Sequence, residues 1–224
     1  MKLNQMIDHT KLGAAIDQAA IDKLIEEAKT YEFKSVCVTP VWVTYVKAAL
    51  EKSGVLVCTV IGFPHGTHTT EVKALEAAIA VRDGADELDM VIDVNALKSG
   101  RHQDVVNDIK AVVKVAGERT VKVIIETCYL NKEDIIAASK LVVKGGARFV
   151  KTSTGFGTHG ARLEDVKLMK ETVGDKAEVK ASGGVRTYED ALKMIDAGAT
   201  RIGTSNGVDI VTQRRKQDDS NPAY

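Results

Sequence analysis

Short apolar runs alternate with longer helical patterns along the whole chain. The runs are rich in β-branched residues and have no consistent polar face, which is typical of strands buried on both sides of a parallel sheet. They predict eight strands, at residues 6–10, 35–39, 55–61, 87–92, 121–126, 148–152, 178–181 and 201–204. Eight strand-helix units in succession predict an α/β fold, a single (β/α)8 barrel of the TIM type. An open, doubly wound sheet is the alternative.

The segments between the predicted strands carry helix start signals. Asn131 with Asp134 has the spacing of a capping box, as has Thr187 with Asp190. Three apolar residues of segment 70–82 recur at helical spacing and form one stripe: Val72, Leu75 and Ile79. Because no linker interrupts the pattern, we expect one domain over residues 1–212 and a polar tail over 213–224 that ends in Tyr224.

The balance of charged residues limits the kinds of binding partner that we expect. The 224 residues include 31 Lys+Arg and 31 Asp+Glu, so no global field favours nucleic acid or an anionic membrane. No stretch approaches the roughly 20 apolar residues of a membrane span. The three cysteines, Cys37, Cys58 and Cys128, lack the close spacing of a zinc or redox motif. We therefore expect a cytoplasmic protein with no nucleic-acid or membrane partner.

Two lysines occupy matching settings, because Lys151 and Lys180 each end an apolar run within the pattern V-K-x-S-x-G. Their strands are consecutive and should be neighbours, which places the two ammonium groups about 6 Å apart. At an effective dielectric constant near 20, the repulsion is about 2.8 kcal/mol, so one amine loses its proton more readily and can act as a nucleophile. The alternative is that each lysine ends its strand and reaches solvent.

Asp89 lies inside an apolar alternation, where an unpaired carboxylate is costly. If it points into the barrel, Lys151 and Lys180 are its nearest cationic partners. If it points outward, a surface arginine is the alternative. The histidines form no tight ligand cluster, so we expect no metal. Cys37 ends the second strand and is expected to be a small buried residue with no essential role.

Two glycine-bearing loops, 182–186 and 203–207, follow the seventh and eighth predicted strands, where barrels commonly bind phosphate. Glycines let backbone N–H groups approach the phosphate oxygens, and we expect a short helix to start near Ser205. Segment 155–160 satisfies G-x-G-x-x-G, but its glycines begin well beyond the strand end. We interpret it as a turn or lid and not as a dinucleotide site.

The sequence around these residues resembles the bacterial deoxyribose-phosphate aldolases from Asp8 to about Asn206. The resemblance is carried by five motifs: Asp8-His9-Thr10, Glu87-Leu88-Asp89, Val123-Ile124-Ile125-Glu126-Thr127, Phe149-Val150-Lys151-Thr152-Ser153-Thr154-Gly155 and Lys180-Ala181-Ser182-Gly183-Gly184-Val185-Arg186. It implies a class I aldolase, a carbon-carbon lyase that needs no metal or other cofactor. The implied reaction is reversible cleavage of 2-deoxy-D-ribose 5-phosphate to acetaldehyde and D-glyceraldehyde 3-phosphate.

The resemblance also implies roles for individual residues. Lys151 matches the Schiff-base lysine, and Lys180 matches the second lysine, which favours loss of the first one's proton. Asp89 matches the aspartate of a proton relay through water, and Asp8 matches an acid beside the second lysine. The implied phosphate ligands are Gly155, Gly183, Gly184, Gly203 and Ser205.

One position departs from the family pattern. Phe156 stands where some members place a lysine directly after K-T-S-T-G, so Arg186 or neutral donors must hold the phosphate. Two other functions remain open on the residues alone: a phosphosugar lyase or isomerase with Asp89 as base and no covalent step, or a catalytically silent barrel that binds a phosphometabolite. We expect a homo-oligomer, with a dimer as the first expectation.

Overall fold

A computed structural model gives the structure and describes residues 2–213. Eight parallel strands form a closed barrel in which each strand pairs with the next and the last pairs with the first. The strands are β1 (Ile7–Lys11), β2 (Ser35–Val38), β3 (Leu56–Ile61), β4 (Glu87–Val91), β5 (Thr120–Ile124), β6 (Phe149–Lys151), β7 (Glu178–Ser182) and β8 (Arg201–Thr204). The predicted fold class is confirmed, and every predicted strand lies within two residues of an observed one.

Helices follow the strands around the outside of the barrel. They are α1 (Gln18–Thr30), α2 (Val43–Ala49), α3 (Thr70–Arg82), α4 (Val94–Lys98), α5 (His102–Ala116), α6 (Lys132–Gly145), α7 (Leu163–Val173), α8 (Tyr188–Asp196) and α9 (Gly207–Thr212). Both predicted capping boxes are present, at the starts of α6 and α8. Within residues 2–213, no helix is long and apolar enough to cross a membrane. The predicted tail, with Tyr224, lies outside the described residues apart from Gln213.

The apolar core and the polar interior of the barrel are separate. One large cluster of buried apolar side chains fills the layer between the strands and the helices. A second, small cluster of Leu12, Cys37, Cys58 and Val60 packs against Phe63. Cys58 contacts the Asp89 carboxylate, so this second cluster borders the polar groups inside the barrel. The strands thus bury apolar residues on their outer side, and polar groups lie inside the barrel.

The apolar stripe of Val72, Leu75 and Ile79 on α3 does not face the core. These side chains are 48%, 61% and 40% exposed, and the buried face of α3 instead carries Lys73, Ala77 and Ala80. Lys73 Nζ donates to Asp108 Oδ2 of α5 at 2.6 Å and to the Val91 carbonyl at 2.9 Å. The ion pair thus lies on the buried face of α3, and the larger apolar side chains of this helix face outward.

Candidate active site

The strand register brings the two predicted lysines together. Lys151 of β6 and Lys180 of β7 are register partners, and both donate to Asp89 Oδ2 at 2.7 Å. Both lysines are buried, with Lys180 fully enclosed and Lys151 only 3% exposed. Asp89 therefore points into the barrel, and pairing with a surface arginine is excluded. The alternative in which the lysines reach solvent is excluded as well.

Asp8 lies on the other side of Lys180. Its Oδ2 accepts from Lys180 Nζ at 2.5 Å, and its Oδ1 accepts from Ser35 Oγ at 2.7 Å and from Arg201 Nη1 at 2.8 Å. All of these groups are buried. The four residues that the sequence singled out for catalysis therefore form one connected network of hydrogen bonds.

Three further charged residues complete this network and were missed by the sequence analysis: Lys122, Glu87 and Arg201. Lys122 Nζ contacts Asp89 Oδ1 at 2.8 Å and Glu87 Oε2 at 2.6 Å, and Arg201 Nη1 contacts Glu87 Oε2 at 2.8 Å. A signal was available, because Glu87 precedes Asp89 by two residues and so shares its side of β4. Lys122 is the register partner of Asp89.

Asp8, Asp89 and Lys180 hold one another in their ionised forms. Burial by itself would raise the pKa of Asp89, but Lys122, Lys151 and Lys180 hold it well below its usual range. The pKa of Asp8 is likewise lowered against the effect of burial, chiefly by Lys180. Burial would lower the pKa of Lys180, yet Asp8 and Asp89 raise it above the ordinary value. Lys180 is therefore an ammonium ion at neutral pH.

Glu126 anchors the loop that follows Lys151. Its carboxylate accepts from the Thr154 backbone N–H at 3.2 Å and from the Thr154 hydroxyl, and its own backbone is left-handed with φ of 54°. Burial raises the pKa of Glu126. A non-glycine residue in this conformation costs of order 1 kcal/mol or more, and such strain clusters at functional sites. Glu126 belongs to one of the five motifs that carry the family resemblance, but no role was predicted for it.

The five predicted phosphate ligands lie at the same end of three adjacent strands. Gly155 follows β6, Gly183 and Gly184 follow the end of β7, Gly203 lies within β8 and Ser205 directly follows it. Hydrogen bonds join the three loops, from Ser182 Oγ to the Ser153 carbonyl at 2.6 Å and from Thr204 Oγ1 to the Val185 carbonyl at 2.7 Å. The five residues therefore lie at the ends of three neighbouring strands, two of which carry Lys151 and Lys180.

Gly203 permits a close approach inside the barrel. A Cβ atom at this position would lie 2.9 Å from Cε of Lys180 and 3.0 Å from Cβ of Ser182. Real Cβ atoms essentially never lie closer than 3.0 Å to another heavy atom, so the distance to Lys180 Cε is too short. Any larger residue would therefore push Lys180 or the β7 strand out of place.

The loops that follow β6 and β8 can be compared with what the sequence predicted for them. The helix predicted to start near Ser205 is α9, which begins only at Gly207 and has six residues, and Ser205 itself is exposed. The G-x-G-x-x-G segment ends at Gly160, whereas α7 begins at Leu163, so these glycines do not open the helix. The segment instead leads to Ala161, whose N–H donates to the Ser182 carbonyl at 3.0 Å. It is a turn that docks on the β7 loop.

Phe156 and Arg186 are both exposed at the rim. Phe156 packs edge-on against Phe63, with the ring centroids 5.4 Å apart. Arg186 follows the Gly183-Gly184 loop by only two residues, so it is an exposed cation close in sequence to two of the predicted phosphate ligands.

One group of residues in the described part of the chain has metal-ligand spacing. The ligand atoms of Cys37, Cys58 and Asp89 lie within 4.8 Å of one another. Both oxygens of Asp89 already accept from ammonium groups, which would repel a cation. Cys37 is fully buried next to its register partner Cys58, in agreement with its expected packing role.

A closed barrel with a buried, carboxylate-bound lysine pair beside glycine loops defines an enzyme of the aldolase class. The chain belongs to the DeoC/LacD family of aldolases, whose family model matches residues 2–213.

Full-length relatives agree with this assignment. The chain is 56% identical over 224 residues, all of both chains, to a deoxyribose-phosphate aldolase of Acholeplasma laidlawii. It is 59% identical over 214 residues, 94% of both chains, to one of Carboxydothermus hydrogenoformans. Among solved structures, the tetrameric deoxyribose phosphate aldolase of Aeropyrum pernix aligns with a TM-score of 0.87 and 34% identity, over 94% of this chain and 89% of that one. The chain is therefore an aldolase, a carbon-carbon lyase.

Proposed function

We propose that this aldolase reversibly cleaves 2-deoxy-D-ribose 5-phosphate to acetaldehyde and D-glyceraldehyde 3-phosphate through a Schiff base on Lys151. The observation that carries this proposal is the shared carboxylate oxygen, Asp89 Oδ2, at 2.7 Å from the Nζ atoms of both Lys151 and Lys180. The names of the relatives at 56% and 59% identity support the substrate.

The first half of the reaction needs an unprotonated amine. Lys151 in its neutral form attacks the aldehyde carbon of the open-chain sugar, and the carbinolamine loses water to give an iminium ion. Asp89 is in hydrogen-bond contact with Lys151 and can take and return the protons of these steps. Lys180 donates to the same oxygen of Asp89 and favours the return of Asp89 to its carboxylate form after each proton transfer.

The second half uses the iminium ion as an electron sink. The third-carbon hydroxyl loses its proton, the bond between the second and third carbons breaks, and glyceraldehyde 3-phosphate leaves. The electron pair of that bond forms an enamine on Lys151. Protonation of the enamine carbon, for which Asp89 and Lys180 are the nearest proton carriers, regenerates an iminium ion. Hydrolysis then releases acetaldehyde and the free amine.

The phosphate of the substrate is assigned to the loops that follow β6, β7 and β8. Gly155, Gly183, Gly184 and Gly203 supply backbone close to the site, and Ser205 adds an exposed hydroxyl. Arg186 is the cation available at this rim. With Phe156 in place of a lysine, neutral donors carry most of the binding, as is common at barrel phosphate sites.

A cleavage assay on Lys151→Met tests this function. The variant removes the amine and keeps most of the side-chain volume, so we expect no cleavage of deoxyribose phosphate with an unchanged circular dichroism spectrum. The matched control is Lys140→Met, which changes an exposed lysine on α6 and should retain wild-type turnover. Turnover by a folded Lys151→Met protein would favour a lyase or isomerase without a covalent step.

We also propose that the chain associates with itself through the outer face of α3. Val72, Leu75 and Ile79 form an exposed apolar stripe there, and such stripes commonly mark contact surfaces. A dimer is the simplest assembly for such a face. Light scattering after size exclusion should give twice the chain mass for the wild type and a smaller mass for Leu75→Glu. A monomeric wild type would refute this.

The cytoplasm is the proposed place of action. Free thiols support this, since Cys37 and Cys58 are register partners within the barrel and are not joined by a disulfide. Fractionation of the source cells should recover the enzyme with cytoplasmic markers. Recovery with an exported fraction would contradict the proposal.

A further inference from the structure

The interior of the barrel holds an unequal number of acids and bases. Seven charged side chains of the described chain form one contact network: the acids Asp8, Glu87 and Asp89 and the bases Lys122, Lys151, Lys180 and Arg201. All seven are buried. Uncompensated charge is costly in such an environment. Three carboxylates balance three cations, so this network is neutral when one base gives up its proton.

The contacts indicate which base that is. Lys180 contacts the carboxylates of Asp8 and Asp89, and Arg201 contacts those of Asp8 and Glu87. Lys151 has one carboxylate within 4 Å among the described residues, that of Asp89, and it shares the contacted oxygen with Lys180. Lys151 is therefore the base whose proton costs least to remove.

Lys122 is the base with the most acid contacts. Its Nζ lies 2.8 Å from Asp89, 2.6 Å from Glu87 and 3.5 Å from Asp8, so it touches all three carboxylates. It holds Oδ1 of Asp89, while Lys151 and Lys180 hold Oδ2. Lys122 is fully buried and has no surface exposed to solvent.

We propose that Lys122 is a positioning residue for the reaction, whose fixed positive charge behind Asp89 leaves Lys151 as the neutral amine. This rests on the proposed role of Lys151. Lys180 contributes in the same sense, from the side of the carboxylate that it shares with Lys151. Without Lys122, three carboxylates would face two fixed cations, and the network would be neutral only with Lys151 protonated.

Other charged or titratable groups surround this network and are common to every variant considered below. On the strands around the barrel they are Cys37 of β2, Cys58 of β3 and Glu126, which directly follows β5. The Glu126 carboxylate accepts hydrogen bonds from Thr154 and makes no ion pair within 4 Å with any described residue. These groups affect the pH at which the acid limb lies in every variant. A difference in that pH between two variants therefore reports the effect of the substituted charge.

The test is the acid limb of the pH profile of kcat/KM for deoxyribose phosphate cleavage, which reports on the free enzyme. Lys122→Met removes the charge and keeps most of the volume. Loss of a nearby cation favours the protonated form of Lys151, so the acid limb should move to higher pH by about one to two units. A purely structural role for Lys122 would lower activity at every pH and leave the limb in place.

Two further variants separate charge from stability. Glu87→Gln removes a negative charge from the opposite side of Lys122, so its acid limb should move to lower pH. Lys73→Met deletes another fully buried, ion-paired lysine, between α3 and α5, and should leave the limb where it is in the wild type. Loss of stability cannot produce shifts of opposite sign in Lys122→Met and Glu87→Gln.

An unmoved acid limb in folded Lys122→Met would overturn the proposal. If Lys122→Met does not fold, Glu87→Gln provides the test. An acid limb that stays in place or moves to higher pH in that variant would overturn the proposal. Failure of the proposed function is a separate result, because it would show as wild-type turnover in Lys151→Met whatever the pH profiles are.

Discussion

A single carboxylate oxygen, Asp89 Oδ2, accepts hydrogen bonds from two ammonium donors. Two cations 2.7 Å from the same atom cannot be far from each other, so their repulsion is strong in a buried setting. Lys180 also contacts Asp8, which stabilises its charge, whereas Lys151 contacts only Asp89 among the carboxylates of the described residues. The difference between the two lysines, which occupy matching sequence settings, is thus produced by Asp8.

Gly203→Ala tests how closely Lys180 must be held. The added methyl group would lie 2.9 Å from Lys180 Cε and 3.0 Å from Ser182 Cβ, so one of them must shift. We expect a loss of about 1–3 kcal/mol in the free energy of unfolding and a fall in kcat of at least about tenfold. Urea unfolding and the cleavage assay measure the two effects. Wild-type kcat would show that the position of Lys180 is not critical.

At the level of single residues, pattern and resemblance predicted Lys151, Lys180, Asp89 and Asp8, and the structure brings all four into contact. Lys122 and Arg201 escaped notice because a basic residue in a short apolar run has the same pattern whether it ends at the surface or points into a barrel. Only the strand register, which pairs Lys122 with Asp89, shows the difference.

The elements of the fold were predicted with unequal success. The strands are short, buried and rich in β-branched residues, so their positions follow from the sequence with errors of one or two residues. The orientation of α3 does not, because its apolar stripe suggests one face and the buried Lys73–Asp108 ion pair selects another. A long-range charge pair of this kind has no signal in the local pattern.

The capping box of α6 gives a prediction at the same scale. Asn131 Oδ1 accepts from the Asp134 N–H at 2.8 Å, and Asp134 accepts in return from the Asn131 N–H. Asn131→Ala leaves the Asp134 N–H without its side-chain acceptor and should lower the free energy of unfolding by about 1 kcal/mol. The neighbouring exposed residue provides the control, Lys132→Ala, which should change stability by less than about 0.5 kcal/mol. Equal effects in urea unfolding would contradict the cap.

Over the whole molecule, the buried carboxylates make stability depend on pH in the acid range. The pKa of Asp8 is held below its usual value in the folded state, against the effect of burial and mainly by Lys180. As the pH falls below about 4, the unfolded chain binds a proton at this residue and the folded chain does not. The stabilisation is therefore present above that pH and is lost as the pH falls.

Asp8→Asn should remove this contribution. Between about pH 4 and pH 2, the free energy of unfolding of the wild type should fall more steeply with decreasing pH than that of the variant, by about 1.4 kcal/mol per pH unit. Urea unfolding at several pH values gives both slopes. Parallel slopes would mean that Asp8 binds its proton equally well in the folded and unfolded chain.

The most direct test of the central claim is the site of covalent trapping. Borohydride added during turnover of 2-deoxyribose 5-phosphate reduces any imine to a stable amine, and peptide mass mapping locates it. We predict a single adduct, on Lys151, that is absent from Lys151→Met. An adduct on another lysine, or sustained turnover with no adduct, would contradict the account.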